Sequence, residues 1–202
     1  MKKDLLYKEE SRLFFNKVYN KKHGNSEKLD TSIIEGFPPK DGEVVLDLGC
    51  GDGRFLEKVR LLNRSVDLFG VDISENMILS GRKRGIEGCI LEVGDAEELP
   101  YAPNSIDRIY CLNSFHHYPN PKKVTEELKR VLKPGGLIVI GEVYVFPGLR
   151  EVINLFLPYG WTGDYRMYSK KTLNKLFKDK DFINVDFSII DPFLFTSVYQ
   201  SF

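Results

Sequence analysis

Between residues 43 and 144 short apolar runs alternate with stretches of helical spacing, and this alternation narrows the fold more than any other feature. The runs are Glu43–Leu48, Asp67–Asp72, Cys89–Val93, Ile106–Leu112 and Leu137–Tyr144. Each has the length of a strand and is too short for a helix. Helices are predicted over Arg54–Leu62 and Glu75–Arg84, the second capped by Ser74. A third begins at Pro121 with Asn120 as its cap, carries Val124, Leu128, Val131 and Leu132 on one face, and stops at Pro134-Gly135-Gly136. Near-continuous apolar strands separated by helices belong to a parallel sheet covered on both faces.

The flanks complete the architecture. Residues 5–20 carry Leu5, Leu6, Leu13, Phe14, Phe15 and Val18 among charges, a loosely amphipathic helix broken at His23-Gly24-Asn25-Ser26. Phe37 to Gly42 reads as a loop. After Pro147 come a helix near Leu149–Leu157, an aromatic loop and a helix over Ser169–Phe177. Two final strands, Ile183–Ile190 and Phe193–Gln200, meet at Asp191-Pro192, a connection short enough only for an antiparallel pair. The predicted fold is α/β: an open, doubly wound seven-stranded sheet, mostly parallel, with an antiparallel C-terminal strand.

Composition narrows the partners. Lys+Arg 29 against Asp+Glu 29 leaves no net charge, which argues against a nucleic-acid or anionic-membrane binder. The zero is an average. Residues 1–28 hold eight Lys/Arg and four acids, whereas residues 41–110 hold eight Lys/Arg and fourteen acids. Cys50, Cys89 and Cys111 form no CxxC pair and predict neither a zinc site nor disulfides; no metal is expected. Free thiols, no signal-like start and no transmembrane-length apolar stretch predict a cytoplasmic protein.

The loop leaving the first strand reads Asp47-Leu48-Gly49-Cys50-Gly51-Asp52-Gly53. In an open α/β sheet a ligand lies beyond the carboxyl ends of the strands, and alternate glycines let it approach bare backbone. A tight strand-to-helix turn would use the same glycines, so the loop alone decides little. Asp72 ends the second strand, where a carboxylate can accept both hydroxyls of a ribose. Asp95 follows the third, placed to accept from an exocyclic amine. Three acids at successive strand ends describe a nucleoside-shaped ligand. The loop is GxGxG rather than GxGxxG, and the carboxylates of Asp47 and Asp52 would repel a pyrophosphate. They suit a ligand that carries an ammonium and a sulfonium.

The segments VLDLGCGDG (45–53), GVDIS (70–74), GDAEELPY (94–101), SIDRIYCLNSFHH (105–117) and LKRVLKPGGLIVI (128–140) resemble, in order, the motifs of class I S-adenosylmethionine-dependent methyltransferases. The likeness spans residues 42–142, about half the chain, and is nearest to the small-molecule branch that includes the quinone-biosynthesis C-methyltransferases (methyltransferase type 11). It implies a Rossmann-like fold and S-adenosylmethionine as cofactor, with S-adenosylhomocysteine as product. It also implies roles. Asp47, Gly49, Cys50 and Gly51 would hold the methionine end, the last three largely through backbone. Asp72 would bind the ribose and Ile73 the adenine face; Asp95 and the Ala96 amide would read the adenine edge. The Asn113 region would reach the amino group. The chain then divides into an N-terminal helical cover (1–40), a cofactor-binding core (41–145), an acceptor-side insertion (146–180) and a final β-hairpin (181–202).

For the acceptor, His116 and His117 follow the fourth strand, and His116 is the candidate hydrogen-bonder or base. A packed or solvated histidine pair is the ordinary alternative. The aromatic residues Tyr144, Phe146, Phe156, Tyr159, Trp161, Tyr165 and Tyr168 would suit a flat or apolar acceptor, or simply pack. Tyr19 of the cover is expected near the pocket. Strand four ends Asn113-Ser114-Phe115-His116, without the N/D-P-P-Y/F motif of enzymes that methylate amines of nucleic-acid bases. A small-molecule acceptor is therefore expected, with no nucleic acid and no membrane span. Three readings stand beside it: an NAD(P)-dependent oxidoreductase, a non-catalytic S-adenosylmethionine-binding protein, and an RNA methyltransferase using the basic N-terminal segment.

Overall fold

The structure is a computed structural model, and it describes residues 2–18, 26–157 and 163–202. Seven strands form one sheet: β1 (Val44–Leu48), β2 (Asp67–Asp72), β3 (Cys89–Val93), β4 (Ile106–Leu112), β5 (Leu132–Val143), β6 (Phe182–Asp191) and β7 (Leu194–Ser201). Their order is β3-β2-β1-β4-β5-β7-β6. The pairs from β3 to β5 are parallel, and β7 runs antiparallel to both β5 and β6. β7 is thus the one reversed strand, as the hairpin at Asp191-Pro192 requires. The strand order turns round at β1, with β2 on one side and β4 on the other, which places a crevice beyond their carboxyl ends.

Side-chain alternation along β1 feeds both faces of the sheet. Leu46 and Leu48 join a core with Val124 and Leu128 of helix α5 (Pro121–Val131) and with Leu173 and Phe177 of α7 (Lys170–Lys178). Val45 joins the opposite core with Leu56 and Val59 of α3 (Arg54–Leu62), Ile78 of α4 (Glu75–Arg84), and Leu29 and Ile33 of α2 (Ser26–Gly36). Asp47 lies between two buried leucines, on the Val45 side of the pleat.

Several boundaries depart from the sequence reading. Helix α2 was not anticipated, because its apolar positions, Leu29, Ile33 and Ile34, are few and follow a breaker. Helix α1 covers Lys2–Val18, and residues 19 and 20 of the expected helix lie outside the described residues. Asn120 does not cap α5 with its side chain; its Nδ2 donates instead to Glu97 Oε1 at 3.0 Å. Pro134-Gly135-Gly136 does not end that helix either. The helix stops at Val131, and the triplet falls inside β5, where a register shift pairs Ile106 with Leu132 and Arg108 with Leu137. Gly135 takes φ +79°, so the irregularity uses the freedom that a helix stop would have used. Among the described residues no helix is long and apolar enough to cross a membrane.

Candidate active site

A cavity of about 930 Å³ opens at the carboxyl ends of β1, β2 and β4. Each cofactor residue expected from sequence lines it: Asp47, Gly49, Cys50, Gly51, Asp72, Ile73, Asp95, Ala96 and Asn113. The glycine loop folds back on β2. The Gly49 and Cys50 amides both donate to the Val71 carbonyl, at 2.8 and 3.1 Å. The Gly51 amide donates to Asp72 Oδ2 at 2.9 Å and the Gly53 amide to the Cys50 carbonyl at 3.0 Å. A phosphate cradle needs free N–H groups aimed at the ligand. Here those donors are spent inside the protein.

The acids differ in state. Asp47 is 3% exposed, and burial, with Asp30 and Asp72 nearby, pushes its pKa well above the usual carboxylate range. Among the described residues no Lys or Arg pairs with it. Asp30, buried on α2, has Lys58 at 2.9 Å. Asp72 is also raised by burial, while amides hold both its oxygens: Gly51 on Oδ2 and Ser74 on Oδ1 at 2.8 Å. Each oxygen keeps capacity for a hydroxyl. The Asp52 carboxylate is not the free repulsive charge expected from sequence: Arg54 holds it at 3.0 Å and Arg84 at 2.8 Å.

Helix α1 lies over this crevice and lines it with Lys8, Ser11, Phe14 and Phe15. Lys8 Nζ meets Asp95 Oδ2 at 2.6 Å and Glu97 Oε2 at 2.8 Å. Asn16 Oδ1 accepts from Ser74 Oγ at 2.7 Å and from the Asn76 amide at 3.2 Å. The spacing of α1 gave no sign of these anchors, because single polar residues on an amphipathic helix look like its solvent face.

Both histidines line the cavity. Residues 115–117 form one 3₁₀ turn, which turns His116 and His117 inward together. Glu142 of β5 accepts from His116 Nδ1 at 2.6 Å, and Asp164 Oδ1 lies 3.2 Å from Nε2. Burial works against the cationic ring, but Glu142 and Asp164 outweigh it and raise His116 to about 10. Burial and the charge on His116 press His117 down to about 3. A neutral His117 then donates from Nδ1 to the Gly163 carbonyl at 2.7 Å. Glu142 and Asp164 were missed from sequence, since they stand 26 and 48 positions from His116.

The expected aromatic wall is not where the sequence placed it. Tyr168 packs into the core on Phe115, Tyr144 packs on Phe146, and Tyr165 packs on Tyr7. Phe146 and Phe156 face solvent. Tyr19, Tyr159 and Trp161 lie outside the described residues. Phe14, Phe15, Val143, Phe193 and Leu194 supply the apolar lining instead.

Comparison with known proteins decides the family. The profile described as "Methyltransferase domain" matches residues 39–180. The chain belongs to the methyltransferase-domain family. The 27-O-demethylrifamycin SV methyltransferase of Amycolatopsis mediterranei (strain S699) is 33% identical over 125 residues, which cover 59% of this chain and 46% of that protein. The demethylmenaquinone methyltransferase of Staphylococcus aureus (strain MRSA252) is 28% identical over 176 residues, covering 76% and 73%. This methyltransferase-domain chain thus spans about half the length of the first relative. A solved SAM-dependent methyltransferase from Aquifex aeolicus has the same fold, with a TM-score of 0.72 at 20% identity, covering 89% of this chain and 94% of that one.

Proposed function

We propose that this chain binds S-adenosylmethionine and transfers its methyl group to a small-molecule acceptor. The observation that carries the reading is Asp47, a buried carboxylate in the cavity wall with no cation from the described residues beside it. An isolated buried charge is costly, and a cationic ligand relieves it. The glycine loop agrees, because the amides of Gly49, Cys50, Gly51 and Gly53 are engaged within the protein rather than free for a phosphate. Asp47, Gly49, Cys50, Gly51 and the Asn113 turn would hold the methionine end. Asp72 would take the ribose hydroxyls, Ile73 the adenine face, and Asp95 with Ala96 the adenine edge. When bound, the cofactor supplies an electrophilic methyl on a sulfonium and leaves as S-adenosylhomocysteine.

The protein's own part is placement. Apolar residues Phe14 and Phe15 of α1 and Phe193 of the β6–β7 turn line the crevice, and alignment of two reactants can itself supply much of the rate. His116 is the acceptor-side residue of this proposal: Glu142 holds its Nδ1, Asp164 faces its Nε2, and the ring stands in the cavity wall. Both named curated relatives act on compounds that are small beside a protein or nucleic acid, which supports a small acceptor. The division into cover (1–40), core (41–145), acceptor-side segment (146–180) and hairpin (181–202) follows the same reading. Three free thiols fit a reducing compartment such as the cytoplasm.

Isothermal titration with S-adenosylmethionine and with NAD tests the proposal. Binding of the former alone is expected; binding of NAD alone overturns it.

A further inference from the structure

Beside the cofactor crevice, three side chains from two distant parts of the chain converge on one point. His116, His117 and Asp164 each offer a ligand atom, and these atoms all lie within 4.8 Å of one another. Asp164 Oδ1 stands 3.2 Å from His116 Nε2 and 3.4 Å from His117 Nδ1. Two ligands on one tetrahedral ion with bonds near 2.1 Å are about 3.4 Å apart. Two of the three ligand pairs therefore already stand at the separation that a shared ion sets, and the third lies within 4.8 Å.

We propose that His116, His117 and Asp164 form a binding site for a borderline divalent transition metal, of the zinc, cobalt or iron(II) type, in the acceptor half of the cavity. Two histidines and one carboxylate are a nitrogen–oxygen donor set that suits these ions better than magnesium or calcium. Glu142 completes the arrangement. It holds His116 Nδ1 at 2.6 Å on the side away from Asp164, and Glu142 is 2% exposed. A carboxylate on the far nitrogen of a histidine fixes the ring and sharpens its basicity as a ligand. The ion would take the place of the His116 proton that faces Asp164, and binding releases that proton to solvent.

Coordination by His117 Nδ1 exchanges its hydrogen bond to the Gly163 carbonyl for a metal bond. All three protein ligands line the cavity, so a remaining position opens toward the acceptor. An acceptor oxygen bound there would lose its proton more readily. That last consequence rests on the methyltransferase reading; the ion site rests on the four side chains alone. No local spacing announced it, because the histidines are adjacent and Asp164 lies far along the chain.

The test uses chelator-stripped full-length protein and cobalt(II) or zinc(II) as the probe. One equivalent is expected by equilibrium dialysis with elemental analysis. Cobalt should give visible ligand-field bands without the near-ultraviolet thiolate band that Cys50, Cys89 or Cys111 would produce. E142Q, which keeps all three ligands, should bind 10- to 100-fold more weakly. D164N should abolish stoichiometric binding. S-adenosylmethionine titration of the same samples reports whether each variant is folded and tests the cofactor reading separately. No binding by the wild-type protein overturns the proposal. So does a thiolate band, or unchanged binding in D164N that still takes S-adenosylmethionine.

Discussion

A β-carbon on Gly49 would lie 1.8 Å from the Ser114 hydroxyl oxygen, so the glycine loop and the end of β4 touch at a point where only hydrogen fits. Gly49 also takes φ +75°, which a side chain disfavours. Ser114 cannot simply swing away, because Tyr118 Oη holds its hydroxyl at 2.7 Å. Gly49→Ala should therefore displace the β4 turn and abolish detectable S-adenosylmethionine binding by titration calorimetry. A variant that binds normally would show that the loop yields at no cost.

Asp72 bridges the loop and the ligand it is proposed to hold. Asp72→Ala removes the acceptor for the Gly51 and Ser74 amides along with the ribose partner. The expected loss is about 1.5–3 kcal/mol in S-adenosylmethionine affinity, the usual worth of charged hydrogen bonds. Asp72→Asn keeps an acceptor oxygen and should lose less. Equal affinity for wild type and Asp72→Ala, measured by calorimetry, would remove the ribose assignment.

The centre of the sheet was legible because β1, β4 and the second half of β5 are buried and read as apolar runs. The edge strands β3 and β6 were legible instead from their length and residue types, with Ile90, Val93, Val185 and Ile189 exposed. The same burial at strand ends made Asp47 and Asp72 conspicuous as charges out of place. Helix α2 was not legible, since its core contacts come from Leu29 and Ile33 in an otherwise polar stretch. Pro134-Gly135-Gly136 misled for a related reason: punctuation residues mark an irregularity but not which element carries it. The acceptor side was least legible. His116 gains its meaning from Glu142 on β5 and from Asp164, partners that only the folded sheet brings near.

His116→Ala should reduce turnover far more than cofactor affinity, since this cavity-lining residue is proposed to meet the acceptor. Labelling of cell extract with methyl-tritiated cofactor measures the first, and calorimetry the second. Equal labelling by both proteins would return His116 to a packing role.

Asp47 makes opposite predictions for the empty and the loaded protein. Its pKa is raised in the folded state, so its charged form destabilises the fold above the unfolded carboxylate value, and protonation relieves this as pH falls. Asp47→Asn should therefore raise the melting temperature of the empty protein at neutral pH, by about 2–4 °C per kcal/mol gained for a chain of this size. The gain should shrink as the pH falls through the raised pKa of Asp47. The loaded protein needs the charged form. Its affinity for S-adenosylmethionine should weaken well above the pH at which ordinary carboxylates titrate, with proton release on binding near that point, read as buffer-dependent heat. Asp47→Asn should lose both the affinity and the proton release while still folding. If the variant is less stable than wild type at neutral pH, or binds the cofactor unchanged, Asp47 is not the cation's partner.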